Sequence, residues 1–386
     1  MQVAVQHELI ERYRKFAGEK STQLSDGPLM LSASEYTSPE QLELERELLF
    51  RRQPIVVCLT ADVPDVGSVL ATHIDGVPLL VTRAKDGRAR VFVNACRHRG
   101  APLVEPDCRR SGARNLSCPF HAWLYSLDGE VIRKPIAKDF FDVPGESFGL
   151  KEVSSDEAHG LIFAQLEGGP VDADSRLGRL SEDLDSFGLA GFHHVETRKA
   201  IQNCNWKMVI DTFLEAYHVF SLHSTTISRL YHSHPQLFDA YNEHCRLIGI
   251  RKTIDDIGED RSTWQFPPHA TIHYFVFPNT LVVHQLDHFE VWRIFPHETP
   301  GNAVVETSIY APEPPNDDTI KKWILNLDIL MQVTGQEDFP MCKKIQEGLE
   351  RGSLDAVVLG QNEPGLIHFH EQIAKALGPV DSGVNL

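Results

Sequence analysis

The 386-residue sequence predicts an α+β protein, in which a small all-β domain precedes an antiparallel sheet flanked by helices. Three observations predict it. Between about residues 45 and 168, short β-type runs alternate with dense glycine, proline and turn residues. Between 271 and 310, four more such runs follow one another across short turns, the pattern of an antiparallel meander. Patterns of helical period stand near both ends of the chain. The boundaries read from this are 45–168 for the β domain, with 1–44 and 169–386 together forming the second domain.

The elements follow in order. Residues 7–20 read as a helix, and 38–53 as another, with Ser38 as N-cap and Pro39 at the first helical position. The period then changes to two. Residues 55–59 and 79–84 are β-type runs, and Lys85-Asp86-Gly87 turns the second into 91–94. Further strands are expected at Val131 and at 160–166. The segment 170–200 reads as loop and short helix, and 225–268 as irregular, a length that suits a lid or pocket mouth. Within it, His232 and His234 read as surface turn residues. Strands are expected at 271–277, 280–285, 288–296 and 303–310. Helices follow at 316–333 and 338–351, the latter with Pro340 in its first turn and Gly352 beyond its end. A short helix near 368–377 closes the ordered part, and 380–386 reads as a loose tail.

Composition excludes several classes. At 42% hydrophobic and 24% charged residues the chain is ordinary globular material. A formal net charge of −17 disfavours unspecific binding to nucleic acid or anionic membranes. The charged N-terminal stretch lacks the apolar core of a signal peptide, and no run approaches a membrane span, so a cytoplasmic location is expected. Seven dispersed cysteines suit reduced thiols and a metal centre better than a disulfide framework. No strand–GxGxxG–helix stretch is present, so no dinucleotide site is expected.

The stretch 203–223, NCNWKMVIDTFLEAYHVFSLH, concentrates candidate ligands. On a regular helix Val209, Phe213, Ala216 and Phe220 share one face, and Asp211, Glu215 and His218 share the opposite one. His223 would point roughly 140° away from His218. If both histidines serve one site, the chain must unwind between them. Two imidazoles and two carboxylates within 13 residues suit a metal site, but on this segment alone an amphipathic helix with a solvated acidic face and incidental histidines is the better explanation.

A second signature lies in the β domain, where Cys96-Arg97-His98 and Cys118-Pro119-Phe120-His121 each supply one thiol and one imidazole. A structural zinc is chemically possible. A [2Fe–2S] cluster, with two cysteines on one iron and two histidines on the other, explains better why both pairs are mixed. In C-x-H both ligands lie on one side of an extended segment and reach adjacent irons.

CRHRGAPLV and CPFHAW (96–104 and 118–123) resemble the Rieske signature, and with NWK…D…ExYH…H (205–223) nearly the whole chain resembles the alpha subunit of a Rieske non-haem iron oxygenase. The resemblance implies an all-β Rieske [2Fe–2S] domain plus a START-like, helix-grip catalytic domain. It implies Cys96, His98, Cys118 and His121 as cluster ligands, with Trp123 packed over the cluster. It implies a mononuclear Fe(II) held by His218, His223 and a carboxylate from late in the chain. That carboxylate is expected to be Asp338, with Glu337 as fallback. Glu215 is then expected to accept from His218 and to bridge to the cluster histidine His121 of a neighbouring subunit. Glutamate at that position resembles the homotrimeric branch acting on amines. Asp211 is expected behind the iron ligands, and Asn205, Trp206 and Lys207 as structural support.

The activity implied is that of a terminal mono- or dioxygenase. It would use O2 and electrons from an external NAD(P)H reductase, directly or through a ferredoxin, on a small aromatic or N-methyl substrate. A homotrimer is implied, or an α3β3 assembly with a small β subunit. A Rieske electron-transfer protein or a zinc-stabilised binding protein would each leave one signature unexplained. The pocket is expected to be lined from 208–226, from the irregular segment, and by Tyr274, Val276 and His284.

Overall fold

A computed structural model describes residues 1–135 and 147–378, so the tail expected at 380–386 lies outside the described residues. The chain divides into two compact units, Phe50–Arg176 and the combination of Met1–Leu49 with Leu177–Leu386.

In the first unit, β-branched runs build a seven-stranded antiparallel sheet. Its order is Ile55–Leu59, Leu161–Gln165, Glu152–Ala158, Ala89–Val93, Val77–Arg83, Val69–Ile74, Arg109–Arg110. A smaller sheet of Leu116–Ser117, Leu124–Tyr125 and Val131–Arg133 accompanies it. Leu80, Phe92, Leu103, Leu116, Trp123 and Tyr125 form a shared core that also holds Cys96 and Cys118.

The second unit is organised on a seven-stranded antiparallel sheet. Its order is His193–Gln202, Ala303–Ala311, His288–Pro296, Thr280–Gln285, Ala270–Val276, His244–Ile250, Leu237–Tyr241. The four strands of the expected meander are its centre. Three others were not legible. His193–Gln202 is a polar edge strand that, among the described residues, pairs with Ala303–Ala311 alone, and pairing rather than propensity makes it a strand. The segment 225–268 is not irregular throughout, because Leu237–Tyr241 and His244–Ile250 form a hairpin in it. Asn242 takes φ +55° in the two-residue turn, and an Asn-Glu turn is a weak sequence signal beside Asn-Gly.

The helices also depart from expectation in informative ways. The segment 203–223 is not one helix. Trp206–Asp211 ends at Thr212, an open stretch follows, and a single turn Val219–Leu222 resumes after His218. The interruption therefore precedes His218, and the chain is helical between the two histidines. With the helix over at Thr212, Asp211, Glu215 and His218 do not share a helical face. Near the C-terminus the expected boundary at Asp338 is absent. Ile320–Val333 runs through a wide π-helical turn, Thr334–Asp338, into Phe339–Glu350. Pro340 lacks the N–H that would close an α-helical bond to the Gln336 carbonyl, and the turn widens there. The last helix, Pro364–Leu377, is longer than expected.

Asn205 anchors the first of these helices. Its side chain accepts from the Lys207 N–H at 2.9 Å and donates to the carbonyls of Tyr36 and Pro300. Trp206 Nε1 donates to Glu45 at 2.7 Å, and Lys207 Nζ pairs with the same carboxylate; Lys207 and Glu45 are both fully buried. Removing one member leaves a buried charge without its partner, which costs about 3–5 kcal/mol. Glu45→Ala is expected to lower unfolding free energy by that amount in urea titrations, with Lys207→Ala showing the same effect.

Candidate metal centres

In the first unit two knuckles are built alike. Cys96 N–H donates to the Ala101 carbonyl and Gly100 N–H to the Cys96 carbonyl, both at 2.8 Å. Cys118 N–H donates to the Trp123 carbonyl at 2.8 Å and Ala122 N–H to the Cys118 carbonyl at 3.0 Å. The fifth residue of each knuckle is left-handed, Gly100 at φ +77° and Ala122 at +57°. This chain reversal brings the two imidazole rings together while both thiols stay in the core. The thiols lie in the core, whereas His98 is half-buried and His121 exposed, their ring centroids 4.7 Å apart. Burial pushes the Cys96 thiol up, and neighbouring Cys118 adds to this. Trp123 stacks on His98 at 5.2 Å and 4°.

Tyr125 is a partner that sequence reasoning missed. Its hydroxyl lies 3.2 Å from Cys96 Sγ and accepts from Arg97 N–H at 3.1 Å. Among the described residues, His218, His223 and Asp338 are the one group of three such side chains whose donor atoms all lie within 4.8 Å of one another. The four residues of the knuckles therefore do not converge on a single ion as zinc requires, but offer an inner thiol pair and an outer imidazole pair. That separation fits a two-iron cluster.

In the second unit the one-turn helix Val219–Leu222 carries His218 at its start and His223 at its end. Their Nε2 atoms lie 3.4 and 3.1 Å from Oδ1 of Asp338. That oxygen is buried with no hydrogen-bond donor aligned on it, as expected of a ligand atom awaiting a cation. Each imidazole is held from behind through Nδ1. Glu215 Oε1 contacts His218 Nδ1, and its other oxygen accepts from the His218 N–H at 3.1 Å. Glu337 Oε2 lies 2.5 Å from His223 Nδ1 and accepts from Thr226 Oγ1 at 2.8 Å. The fallback ligand thus sits against the far nitrogen of His223, while Asp338 faces both near nitrogens.

Burial alone would lower the His218 imidazole, yet Asp338 and Glu215 outweigh it and hold it up at about 9. His223 is likewise raised against its burial, by Asp338 and Glu337. Burial would raise the Asp338 carboxyl, but the two imidazoles outweigh that and lower it. Three carboxylates around two imidazoles form a donor set whose negative charge a divalent cation largely offsets, and it fits the mixed nitrogen and oxygen preference of non-haem Fe(II).

Asp211 is elsewhere. It accepts from Tyr36 Oη and lies against His370 Nε2, both at 2.9 Å, instead of supporting an iron-site histidine. Neither Tyr36 nor His370 carried a signal, because the three meet only in the folded chain.

A cavity of about 150 Å³ opens on His218, His223 and Asp338. That is room for a molecule the size of one aromatic ring. Its sheet wall is Leu247, His273, Val283 and Glu290, neighbours in register across four strands. Tyr274 and His284, expected in the pocket, instead point to the opposite face, where both rings meet Phe187. Val276, two residues from Tyr274 on its strand, shares that face. The strands were right and the face was wrong by one residue, which inverts every side chain.

Residues 53–147 match the Rieske [2Fe-2S] domain and 189–378 match the ring hydroxylating alpha subunit (catalytic domain). The chain belongs to the Rieske oxygenase alpha subunits, a family whose members bind a [2Fe–2S] cluster and a mononuclear iron. It is 30% identical over 197 residues to the glycine betaine monooxygenase oxygenase subunit of Chromohalobacter salexigens, covering 50% of this chain and 43% of that protein. It is 29% identical over 215 residues to the anthranilate 1,2-dioxygenase large subunit of Acinetobacter baylyi, covering 54% and 45%. The matches span less than half the length of these curated relatives. A solved structure of the quaternary ammonium Rieske monooxygenase CntA shares the fold, with TM-score 0.78, 19% identity, and coverage of 90% of this chain and 95% of that one.

Carboxylates behind metal-ligating imidazoles are worth about ten- to a hundred-fold in metal affinity. Glu337→Ala is expected to weaken iron binding at the histidine site by that factor while leaving the visible absorption of the cluster unchanged. Iron analysis and absorption spectra of the same sample check this.

Proposed function

We propose that this chain is the terminal oxygenase component of a Rieske-type mono- or dioxygenase system, an oxidoreductase acting on a small aromatic or N-methyl compound. The observation that carries the reading is the convergence of His218, His223 and Asp338 on one apolar cavity, in a chain that also holds Cys96, His98, Cys118 and His121. In this reading 45–168 is the electron-entry domain, and 1–44 with 169–386 is the domain where substrate is oxidised.

The cluster would supply electrons one at a time and the Fe(II) would activate O2. The protein's own groups do the rest. His218, His223 and Asp338 would hold the ion at the edge of the cavity that they line. Glu215 and Glu337 fix the two rings through Nδ1 and keep Nε2 free for the metal. Phe213, Ala216, Phe220 and Ile227 line the cavity with apolar surface and exclude water around the reacting atoms. For monooxygenation the balance is one C–H bond, O2, two electrons and two protons giving C–OH and water. An N-methyl group so hydroxylated loses formaldehyde. For dihydroxylation the same two electrons and two protons place both oxygens on the substrate.

Electrons come from a separate NAD(P)H reductase, with or without a ferredoxin. Glu215 carries the link from His218 to His121 of a neighbouring subunit in a homotrimer, the α3β3 assembly being the alternative. A cytoplasmic location agrees with the seven free cysteines, and no described helix is long and apolar enough to cross a membrane.

Glu215→Gln is expected to retain both metals by iron analysis and electron paramagnetic resonance, while turnover with a surrogate reductase falls to background. Full activity in that variant would remove the bridge. In the same assay, formaldehyde release separates demethylation from ring oxidation, and a colourless protein containing stoichiometric zinc would overturn the whole reading.

A further inference from the structure

The cavity holds one carboxylate that the iron site does not use. Glu290 stands on the sheet wall at 5% exposure, between Val283 and Ile309 in register, and lines the cavity. Its nearest cationic neighbour is His288, whose Nε2 lies 3.6 Å from Oε1, beyond hydrogen-bond reach. His288 is engaged on its other side, with Nδ1 3.0 Å from Asp287, and Asp287 pairs with Lys322 at 2.5 Å. The charges therefore alternate from Lys322 inward and end on a carboxylate at the cavity. No lysine or arginine lines that cavity; its other ionisable groups are Glu215, His218, His223, His232, His273 and Asp338. A ferrous ion at the histidine site would offset two of the three carboxylates Asp338, Glu215 and Glu337, and His288 offsets Glu290 from outside the cavity lining, so the site keeps a net negative charge and Glu290 is the carboxylate of its sheet wall. A cation entering the cavity meets that carboxylate on the side that His288, which does not line the cavity, leaves open. Phe213, Phe220 and Tyr231 line the same space, and aromatic faces attract organic cations.

We propose that Glu290 is a specificity-determining residue that selects a substrate carrying a cationic nitrogen, an ammonium or quaternary ammonium group. The inference rests on the cavity being the substrate site. An anionic substrate finds no lysine or arginine in the wall and meets three carboxylates. Glu290 acts by charge across the cavity, and the aromatic side chains supply the shape.

The test uses the iron-loaded full chain and a matched pair of probes, choline and its neutral isostere 3,3-dimethylbutan-1-ol, with affinities measured by calorimetry. The wild-type protein is expected to prefer choline by at least about ten-fold, the scale of one desolvated charge pair. Glu290→Gln should abolish that preference while leaving affinity for the alcohol within two-fold, and Glu290→Asp should keep part of it. Equal affinity for the two probes in the wild type, no binding of choline, or an unchanged preference in Glu290→Gln overturns the inference. Loss of both probes in Glu290→Gln with the preference also lost in Glu290→Asp assigns the residue to structure and overturns it as well. Iron content and turnover are read separately. If they stand while the charge preference is absent, this inference fails and the oxygenase reading survives.

Discussion

Two adjacent carboxylates must meet the histidine pair from one stretch of helix, Asp338 at both rings and Glu337 at His223, and the second unit is arranged around that requirement. Consecutive residues of a regular helix point about 100° apart. Widening the turn at Thr334–Asp338 keeps Glu337 on the outer nitrogen of His223 and Asp338 on the inner nitrogens of both histidines. Pro340 denies the chain one helical hydrogen bond and makes the wide turn the natural solution. Across from it, the open stretch from Thr212 to Glu215 frees Glu215 to fold back on His218, and the one turn that follows sets the histidines facing Asp338.

Both candidate centres follow a single logic. Each draws its donors from two segments distant in sequence, and each surrounds them with groups that fix donor orientation. In the first unit those groups are the two matched knuckles, Tyr125 on Cys96 and Trp123 on His98. In the second they are Glu215 and Glu337. Rigid scaffolding stands behind the latter pair, since Glu45, Trp206, Lys207 and Asn205 lock the start of the histidine segment into the core. Donors held this way lose little freedom on taking up a metal, so more of the binding energy remains for affinity.

The cavity adds a constraint of its own. Its iron end concentrates carboxylates, its wall carries Glu290, and its remaining surface is mostly apolar. A space so lined disfavours anions and accepts a compact apolar body. The protein's acidic surface charge of −17 has no bearing on this, because the selecting charge is one buried side chain on one strand.

By itself the sequence determined the α+β architecture, the central strands of the second sheet and part of the first, where Val69–Ile74 and Glu152–Ala158 were not legible, and the residue types at both centres. The spacing of Cys96, His98, Cys118 and His121 and the pattern from Asn205 to His223 are local enough to read. Tertiary structure decided what local periodicity does not contain. It made a strand of His193–Gln202 by giving that polar segment a partner. It moved the helix break ahead of His218, because a metal pair needs converging donors more than it needs continuous helix. It turned Asp211 toward Tyr36 and His370, and assigned His273, Val283 and Glu290 to the cavity in place of Tyr274, Val276 and His284. The face of a strand that meets a ligand depends on which layer covers it, and that is settled only when the layers pack.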